Sequence, residues 1–323
     1  MQWVSVQVPT AEINQSLGEQ NATIWSMHVL SLSLLTLLSL FFAGKLRNQW
    51  LFIANAKQQQ EVLVAERTAD LQKANDRLQH ERDLVESVIN QIRMHPSFDP
   101  AGQRILATSV DKTNGDMVLA MGRADGNHYF LVGDFTGHGL GAAVCGPLVS
   151  NIFYILVMKG EQPETILQEI NQHLCDHLPP NLYLAGCLVE KEARTGRLTL
   201  WNFGLPELPI FKNGAHFGNI QSGMLPLGIM HDLELESYSV LYDSEEDMRI
   251  YLATDGIIET STEEGEMFGE KRLLTTLEAL ITNRSQLNQI LGVLEVFRGE
   301  KAQEDDITLV EISMPKLEEV GIR

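Results

Sequence analysis

The sequence predicts an α+β domain, a two-sheet β-sandwich flanked by helices, that follows a long N-terminal helical region. Strand-like runs rich in branched and aromatic residues alternate with two helical groups, near residues 141–176 and 270–297. The apolar content of 44% in 323 residues is enough for one sizeable core plus accessory segments. No Gly or Pro interrupts residues 45–95, which indicates a helix before the domain. The predicted strands are RILATSV, MVLAMGR, HYFLVGD, LYLAGCLVE, RLTLWNF, RIYLATD and ITLVEIS.

The first element is an uncharged segment, residues 25–43. It is long enough to cross the hydrocarbon core of a bilayer as a helix, which takes about 20 residues. A buried core helix and a signal peptide are the other interpretations, but a signal peptide begins with a basic region and residues 1–24 contain no Lys or Arg. Lys45 and Arg47 directly follow the segment, so the positive-inside rule predicts a single-pass anchor with residues 1–24 outside and the remainder in the cytoplasm.

A polar helical stretch, residues 45–93, follows the uncharged segment. Apolar residues recur there every seven positions over five heptads, which predicts one seam of a coiled coil and hence a homodimer. The alternate seam positions are mostly polar and include Asn75, so we expect a weak coil that can switch between two packings. A single helix packed on the following domain is the other interpretation. The seam residues are Val64, Leu71, Leu78, Val85 and Ile92.

The net charge of −19 falls mainly on the predicted domain. Residues 1–44 carry two acidic side chains and residues 45–93 are nearly balanced, which leaves about −18 for the remainder. This charge argues against nucleic acid as a partner, because phosphate backbones bind basic faces. The three cysteines form no CxxC pair and are typical of small core residues in a reducing compartment. They are Cys145, Cys175 and Cys187.

Four aspartates stand in short motifs at the ends of predicted strands. A single Asp-Gly is most often a turn, but four such motifs in order predict carboxylates that converge on one point. Converging carboxylates repel one another unless hard cations lie among them, and Mg²⁺ or Mn²⁺ with oxygen ligands meets that requirement. The motifs are NGD with Asp116, LVGDFTGHG with Asp134, YLATDGIIE with Asp255 and EDDITLV with Asp305.

Five ordered motifs within residues 97–314 resemble those of the SpoIIE/RsbU-type branch of the bacterial PPM (PP2C-like) serine/threonine phosphatases. GDFTGHGLGAA is similar to that family's DVSGHGxxAA, TDGIIE to its TDGxxE, and DDITLV to its terminal DDxTLL. The NFG triplet at 202–204 and LPLGI at 225–229 resemble two further landmarks. The resemblance implies a PPM-type αββα sandwich in residues 97–314, with a C-terminal tail at 315–323.

The resemblance also implies hydrolysis of phosphoserine or phosphothreonine by water that two Mn²⁺ or Mg²⁺ ions activate, without a covalent intermediate. Asp134 would then bridge the two ions, assisted by the carbonyl of Phe135. The remaining ligands, partly through water, would be Asp116, Asp255 and Asp305.

Three details of the resemblance leave alternatives open. His138 in the GHG motif is a candidate general acid for the leaving alkoxide or a structural residue. Asp306 is expected to orient its neighbour Asp305, although either of the two can be the ligand. The family's GGDFYD motif reads NGDMVL here, so Asp116 is retained while the aromatic residue and the second acid are absent.

Three functions from different classes follow from these patterns. The first is a metal-dependent protein phosphatase anchored in the bacterial cytoplasmic (inner) membrane; in the branch that the chain resembles, the substrate is typically a STAS-type anti-sigma factor antagonist. The second is a catalytically weakened or inactive scaffold of the same fold that binds such a partner. The third is a sensor histidine kinase, suggested by the membrane helix and coil, but the sequence lacks its N-box and DxGxG loops.

Overall fold

The chain divides after Gln79 into two compact units. The computed structural model describes residues 10–93, 103–108, 115–137, 140–242 and 246–314.

A single helix, α1, extends from Thr10 to Arg93. Its 84 residues correspond to about 126 Å at about 1.5 Å per residue. The predicted helical conformation of residues 25–43 and 45–93 is therefore confirmed, and the helix continues through Gly44 between them. Membrane insertion and pairing with a second helix remain predictions.

Two helical stretches of the described chain are long and apolar enough to cross a membrane. The first lies within Gln20–Ile89, and none of its apolar window is buried; the second is Leu140–Lys159, half of whose window is buried. The second stretch packs into the domain core through Val149, Phe153 and Val157, as a core helix does. Both stretches have the length and composition of a membrane span, but the first is the candidate because its apolar window is exposed.

The second unit alternates strands and helices in an order close to the predicted one. Its strands are β1 Gln103–Thr108, β2 Asp116–Gly122, β3 His128–Phe135, β4 Leu184–Lys191, β5 Arg197–Phe203, β6 Leu208–Lys212, β7 Ala215–Ile220, β8 Tyr238–Leu241, β9 Met248–Ala253 and β10 Ile307–Met314. Its remaining helices are α2 Leu140–Ala143, α3 Gly146–Lys159, α4 Pro163–His177, α5 Asp255–Glu259, α6 Gly269–Thr282 and α7 Gln289–Arg298.

The strands form two antiparallel sheets. Sheet one has the order β1-β10-β9-β6-β7 and sheet two the order β2-β3-β4-β5-β8. One apolar core lies between the sheets, a second packs α3 and α4 on sheet two, and a third packs α5, α6 and α7 on sheet one. These four layers confirm the predicted αββα sandwich.

The structure adds elements that the sequence did not reveal. The strands β6, β7 and β8 lie outside the seven predicted runs, since they are only four to six residues long and β7 and β8 are largely exposed. The helical group at 141–176 is divided at Gly160, whose left-handed φ of 85° ends α3. The group at 270–297 is likewise two helices, α6 and α7.

Candidate metal centre

Strand alternation places Asp116 and Asp134 on the same face of sheet two. The two residues lie directly opposite each other in the antiparallel β2–β3 pair. The next pair on this face, Val118 and Val132, contributes to the core between the sheets. Both carboxylates therefore project toward sheet one at the end of the sandwich.

Sheet one presents Thr254 and Asp306 to the same region. Thr254 follows β9 and keeps the alternation of Ile250 and Leu252, which face the core between the sheets. Asp306 precedes β10 in phase with Val310, which belongs to the same core. The exposed fractions of Thr254 and Asp306 are 0% and 3%, so both side chains are enclosed by the two sheets.

Two hydrogen bonds, which we call the inter-sheet bridge, join the sheets at this point. The hydroxyl of Thr254 donates to Oδ2 of Asp116 over 2.9 Å. The backbone N–H of Gly115 donates to Oδ2 of Asp306 over 2.7 Å. Since both bonds end on carboxylates in a buried setting, they hold the first aspartate motif against sheet one.

A close backbone approach brings Asp255 beside Asp305. Asp255 is the first residue of α5, directly after Thr254. A Cβ atom at Gly256 would come within 2.0 Å of the backbone oxygen of Asp306. Only a glycine therefore allows α5 to pack this closely on the turn before β10.

The two adjacent acids before β10 have different surroundings. Asp305 is partly exposed, its Oδ1 accepts the backbone N–H of Asp306 over 2.8 Å, and its carbonyl accepts the side-chain amide of Gln303 over 2.8 Å. Asp306 is buried, and its carboxylate accepts the backbone N–H of Gly115. These contacts favour Asp305 as the ligand, and they give Asp306 a contact to the first motif in addition to the predicted one with its neighbour.

Burial and neighbouring charges raise the pKa of three acids at this end of the sandwich. Burial first, and then the charges of Asp116, Asp255 and Asp305, raise the pKa of Asp134 to about 10. Burial raises the pKa of Asp116 to about 6, although hydrogen bonds from neighbouring side chains oppose the rise. Burial, followed by the charges of Asp255 and Asp305, also raises the pKa of Glu259. In the absence of a cation, this end of the sandwich therefore holds protons that isolated carboxylates would release.

The donor set fits small divalent cations. Mn²⁺ and Mg²⁺ prefer hard oxygen ligands, and the charges that act on Asp134 include the carboxylates of Asp116, Asp255 and Asp305. Within the described parts of the chain, no three His, Cys, Asp or Glu side chains already surround a common point. Carboxylates that repel one another do not close into a cage until a cation offsets their charge, so the chemistry of the donors fits although the cage is open.

Phe135 and His138 are the two remaining residues that the sequence assigns to the site. The side chain of Phe135 is fully buried between sheet two and the helices, which leaves its main-chain carbonyl for the predicted role. His138 lies outside the described residues, so its role stays a prediction.

The changes in the first motif fall on both faces of β2. Met117 and Leu119 are buried in the core between sheet two and its helices, whereas Asp116 faces sheet one. Leu119 stands where the family's second acid would be, so an acid there would project away from the carboxylate of Asp116. The lost acid therefore lies away from Asp116, whereas Val118, which replaces the motif's tyrosine, lies on the same face as Asp116 and pairs with Val132 in the core between the sheets.

Sequence reasoning missed Thr254 and Glu259. Both lie in the TDGIIE motif, whose aspartate alone had been assigned a role. The signal for Thr254 is its position two residues after Leu252, which puts it on the face between the sheets. The signal for Glu259 is its place one helical turn after Asp255.

The fold and the carboxylate cluster define a PP2C-type phosphatase domain. The family described as Stage II sporulation protein E (SpoIIE) matches residues 124–315, and the chain belongs to this family. The resemblance to the SpoIIE/RsbU-type branch is thereby confirmed, and so is the class of enzyme, a protein serine/threonine phosphatase.

Solved structures share the fold at low sequence identity. The SiaA-PP2C domain of Pseudomonas aeruginosa has a TM-score of 0.61 at 21% identity, over 75% of this chain and 98% of that one. The phosphatase domain of SpoIIE from Bacillus subtilis, with a fragment of its regulatory domain, has a TM-score of 0.57 at 16% identity, over 66% and 63%. The RsbU and RsbW domains of Rv1364c from Mycobacterium tuberculosis give 0.53 at 19%, over 67% and 61%. No curated protein matches the chain.

Proposed function

We propose that the chain is a membrane-anchored, metal-dependent phosphatase that hydrolyses phosphoserine or phosphothreonine on a signalling protein. The observation that carries the proposal is the meeting of Asp116 and Asp134 from sheet two with Asp255 and Asp305 from sheet one, seen in the raised pKa of Asp134. Two Mn²⁺ or Mg²⁺ ions bound there would lower the pKa of water and neutralise phosphoryl charge.

Each residue of the candidate metal centre has its own role in this proposal. Asp134 would contact both ions, with the carbonyl of Phe135 beside it. Asp116, held by Thr254, and the pair Asp255 and Asp305 would complete the ligand set from opposite sheets. A rigid set of this kind aligns water and phosphoryl group for in-line attack, and orientation accounts for a large share of catalysis. His138 would protonate the leaving alkoxide.

The proposed substrate is a phosphorylated STAS-type anti-sigma factor antagonist. The support is the family, together with a fold neighbour that contains RsbU and RsbW domains in one chain. The cytoplasmic membrane is the proposed location because the apolar window of α1 is wholly exposed. The seam residues Val64, Leu71 and Leu78 are exposed by 58%, 71% and 65%, which supports pairing of α1 with a second copy.

The test is hydrolysis of p-nitrophenyl phosphate by the detergent-solubilised chain with Mn²⁺, with Mg²⁺ and with EDTA. We expect turnover that EDTA abolishes and that Asp255→Asn lowers by at least about a thousandfold, since a two-metal site loses a ligand. Arg194→Gln, in an exposed turn of sheet two, is the control. Activity that persists in EDTA would refute the metal requirement. Full activity of a folded Asp255→Asn variant would refute the assignment of Asp255 to the metal centre.

The substrate is tested separately. A STAS-domain protein phosphorylated on serine is the expected substrate, and release of inorganic phosphate is the measurement. A chain that binds this protein tightly without releasing phosphate would instead be the scaffold. The lost acid of the first motif gives little support to that alternative, because Leu119, which stands in its place, faces away from Asp116.

A further inference from the structure

Thr254 occupies the junction of the two sheets. It follows β9, its side chain is completely buried, and its backbone N–H donates to the carbonyl of Thr308 on β10 over 3.0 Å. Its hydroxyl accepts the backbone N–H of Thr308 over 3.0 Å and donates to Oδ2 of Asp116 over 2.9 Å. One hydroxyl thus touches a strand of sheet one and a carboxylate of sheet two.

The direction of these bonds is fixed by chemistry. A hydroxyl has a single proton, and a backbone N–H is only a donor, so the contact with Thr308 N–H must use a lone pair of Thr254. The proton is then free for Asp116, at 2.9 Å, in preference to the carbonyl of Thr308 at 3.5 Å. Oδ2 of Asp116 is therefore held by Thr254, and its position is determined by the backbone of sheet one.

We infer that Thr254 is a positioning residue whose hydroxyl sets the orientation of the Asp116 carboxylate for a divalent cation. The inference rests on the proposed function only in taking Asp116 as a metal ligand. A hydrogen-bonded partner behind a ligand commonly changes metal affinity by about 10–100-fold. The second bond of the inter-sheet bridge, from Gly115 to Asp306, holds the backbone of the same motif, so side chain and main chain are fixed from the same sheet.

Two substitutions separate the hydroxyl from the bulk of the side chain. Thr254→Val keeps the shape and removes the hydroxyl, whereas Thr254→Ser keeps the hydroxyl and removes a methyl group. A packing role predicts that serine is the more harmful change, and the positioning role predicts that valine is. Thr199→Val is the matched control, because Thr199 is also buried and its hydroxyl contacts Ser239 over 3.3 Å in sheet two.

The experiment is calorimetric titration of Mn²⁺ into the full detergent-solubilised chain, with melting in EDTA to verify folding. We expect Thr254→Val to weaken Mn²⁺ binding by about 10–100-fold. We expect Thr254→Ser to stay within about threefold of the original chain and Thr199→Val to match it, since each keeps the hydroxyl at Asp116. If the valine variant does not fold, the serine variant decides by its affinity alone.

Three results would overturn the inference: unchanged Mn²⁺ affinity in Thr254→Val, equal losses in the valine and serine variants, or no Mn²⁺ binding by the original chain. Failure of the proposed function looks different. A chain that binds Mn²⁺ with the expected order of affinities but hydrolyses no phosphate ester would leave Thr254 as a positioning residue and reject the phosphatase.

Discussion

Replacing Asp134 by asparagine should stabilise the metal-free protein while it abolishes metal-dependent activity. Burial and three neighbouring carboxylates raise the pKa of Asp134 from 3.8 to about 10. The folded state therefore holds a proton that the unfolded chain releases, and stability falls as pH rises from about 4 toward 10. Asparagine has no proton to hold, so the variant escapes this loss.

The magnitude follows from the distance between the working pH and the unfolded pKa. Each pKa unit corresponds to about 1.4 kcal/mol. The free energies of unfolding of the variant and the original protein therefore move apart by at most about 1.4 kcal/mol per pH unit above pH 4, and we call this difference the stability gap. Asp134 retains some solvent contact, which screens part of the repulsion. We therefore expect the stability gap to grow by about 0.5–1 kcal/mol per pH unit between pH 5 and 8. In a domain of this size that corresponds to about 1–4 °C per unit in Tm.

The assay is thermal unfolding of the solubilised chain in EDTA at pH 5, 6, 7 and 8, for the original protein and for Asp134→Asn. With saturating Mn²⁺ the original protein should have the higher Tm, because it binds the ion whereas the variant has lost a ligand. Arg194→Gln serves as the control for a change of one charge far from the carboxylates. The assignment of Asp134 to a cluster of repelling carboxylates would be refuted if the difference in Tm between the two proteins in EDTA stayed constant or became smaller with rising pH.

Three other predictions test the close packing at the site and the N-terminal helix. Gly256→Ala should abolish Mn²⁺ binding and lower Tm in EDTA, since its Cβ would lie 2.0 Å from the backbone oxygen of Asp306; calorimetry showing normal affinity would contradict the packing. In a chain without native cysteines, Ser16→Cys should react with an impermeant thiol reagent on intact cells and Gln58→Cys should not; the reverse labelling would contradict the membrane topology. Deleting four residues after Asn75 should change phosphatase activity, because it rotates the following helix by about 40°, whereas deleting seven should not; equal activities would make α1 a passive tether.

The sequence predicted the layers and the four aspartates because both depend on local pattern. Core strands such as β3 and β9 are continuous apolar runs, and Asp134 and Asp255 each stand where such a run ends. The edge strand β8 escaped prediction, because YSVL is short and mostly exposed and joins the sheet by pairing with β5. Its existence depends on a neighbour that a local pattern does not contain.

The side chains that support the site were harder to predict than its ligands. Thr254 and Asp116 are separated by 138 positions, and the hydrogen bond between them exists only because two sheets meet. Likewise, the consequence of Leu119 in the first motif depended on the face that it occupies. A motif comparison registers a lost acid, whereas the pleat of β2 shows that this position points into the helix-side core.

The inter-sheet bridge and the carboxylate cluster have opposite effects on the stability of the metal-free fold. Like charges beside Asp134 drive the strand ends of the two sheets apart, and the bonds from Thr254 to Asp116 and from Gly115 to Asp306 hold them together. Both bonds use carboxylates as acceptors, and hydrogen bonds to a charged acceptor are stronger than those between neutral groups. The two bonds therefore keep the ligand-bearing strand ends of the two sheets together in the absence of a cation, and a divalent ion that binds there offsets the repulsion so that the open cage can close.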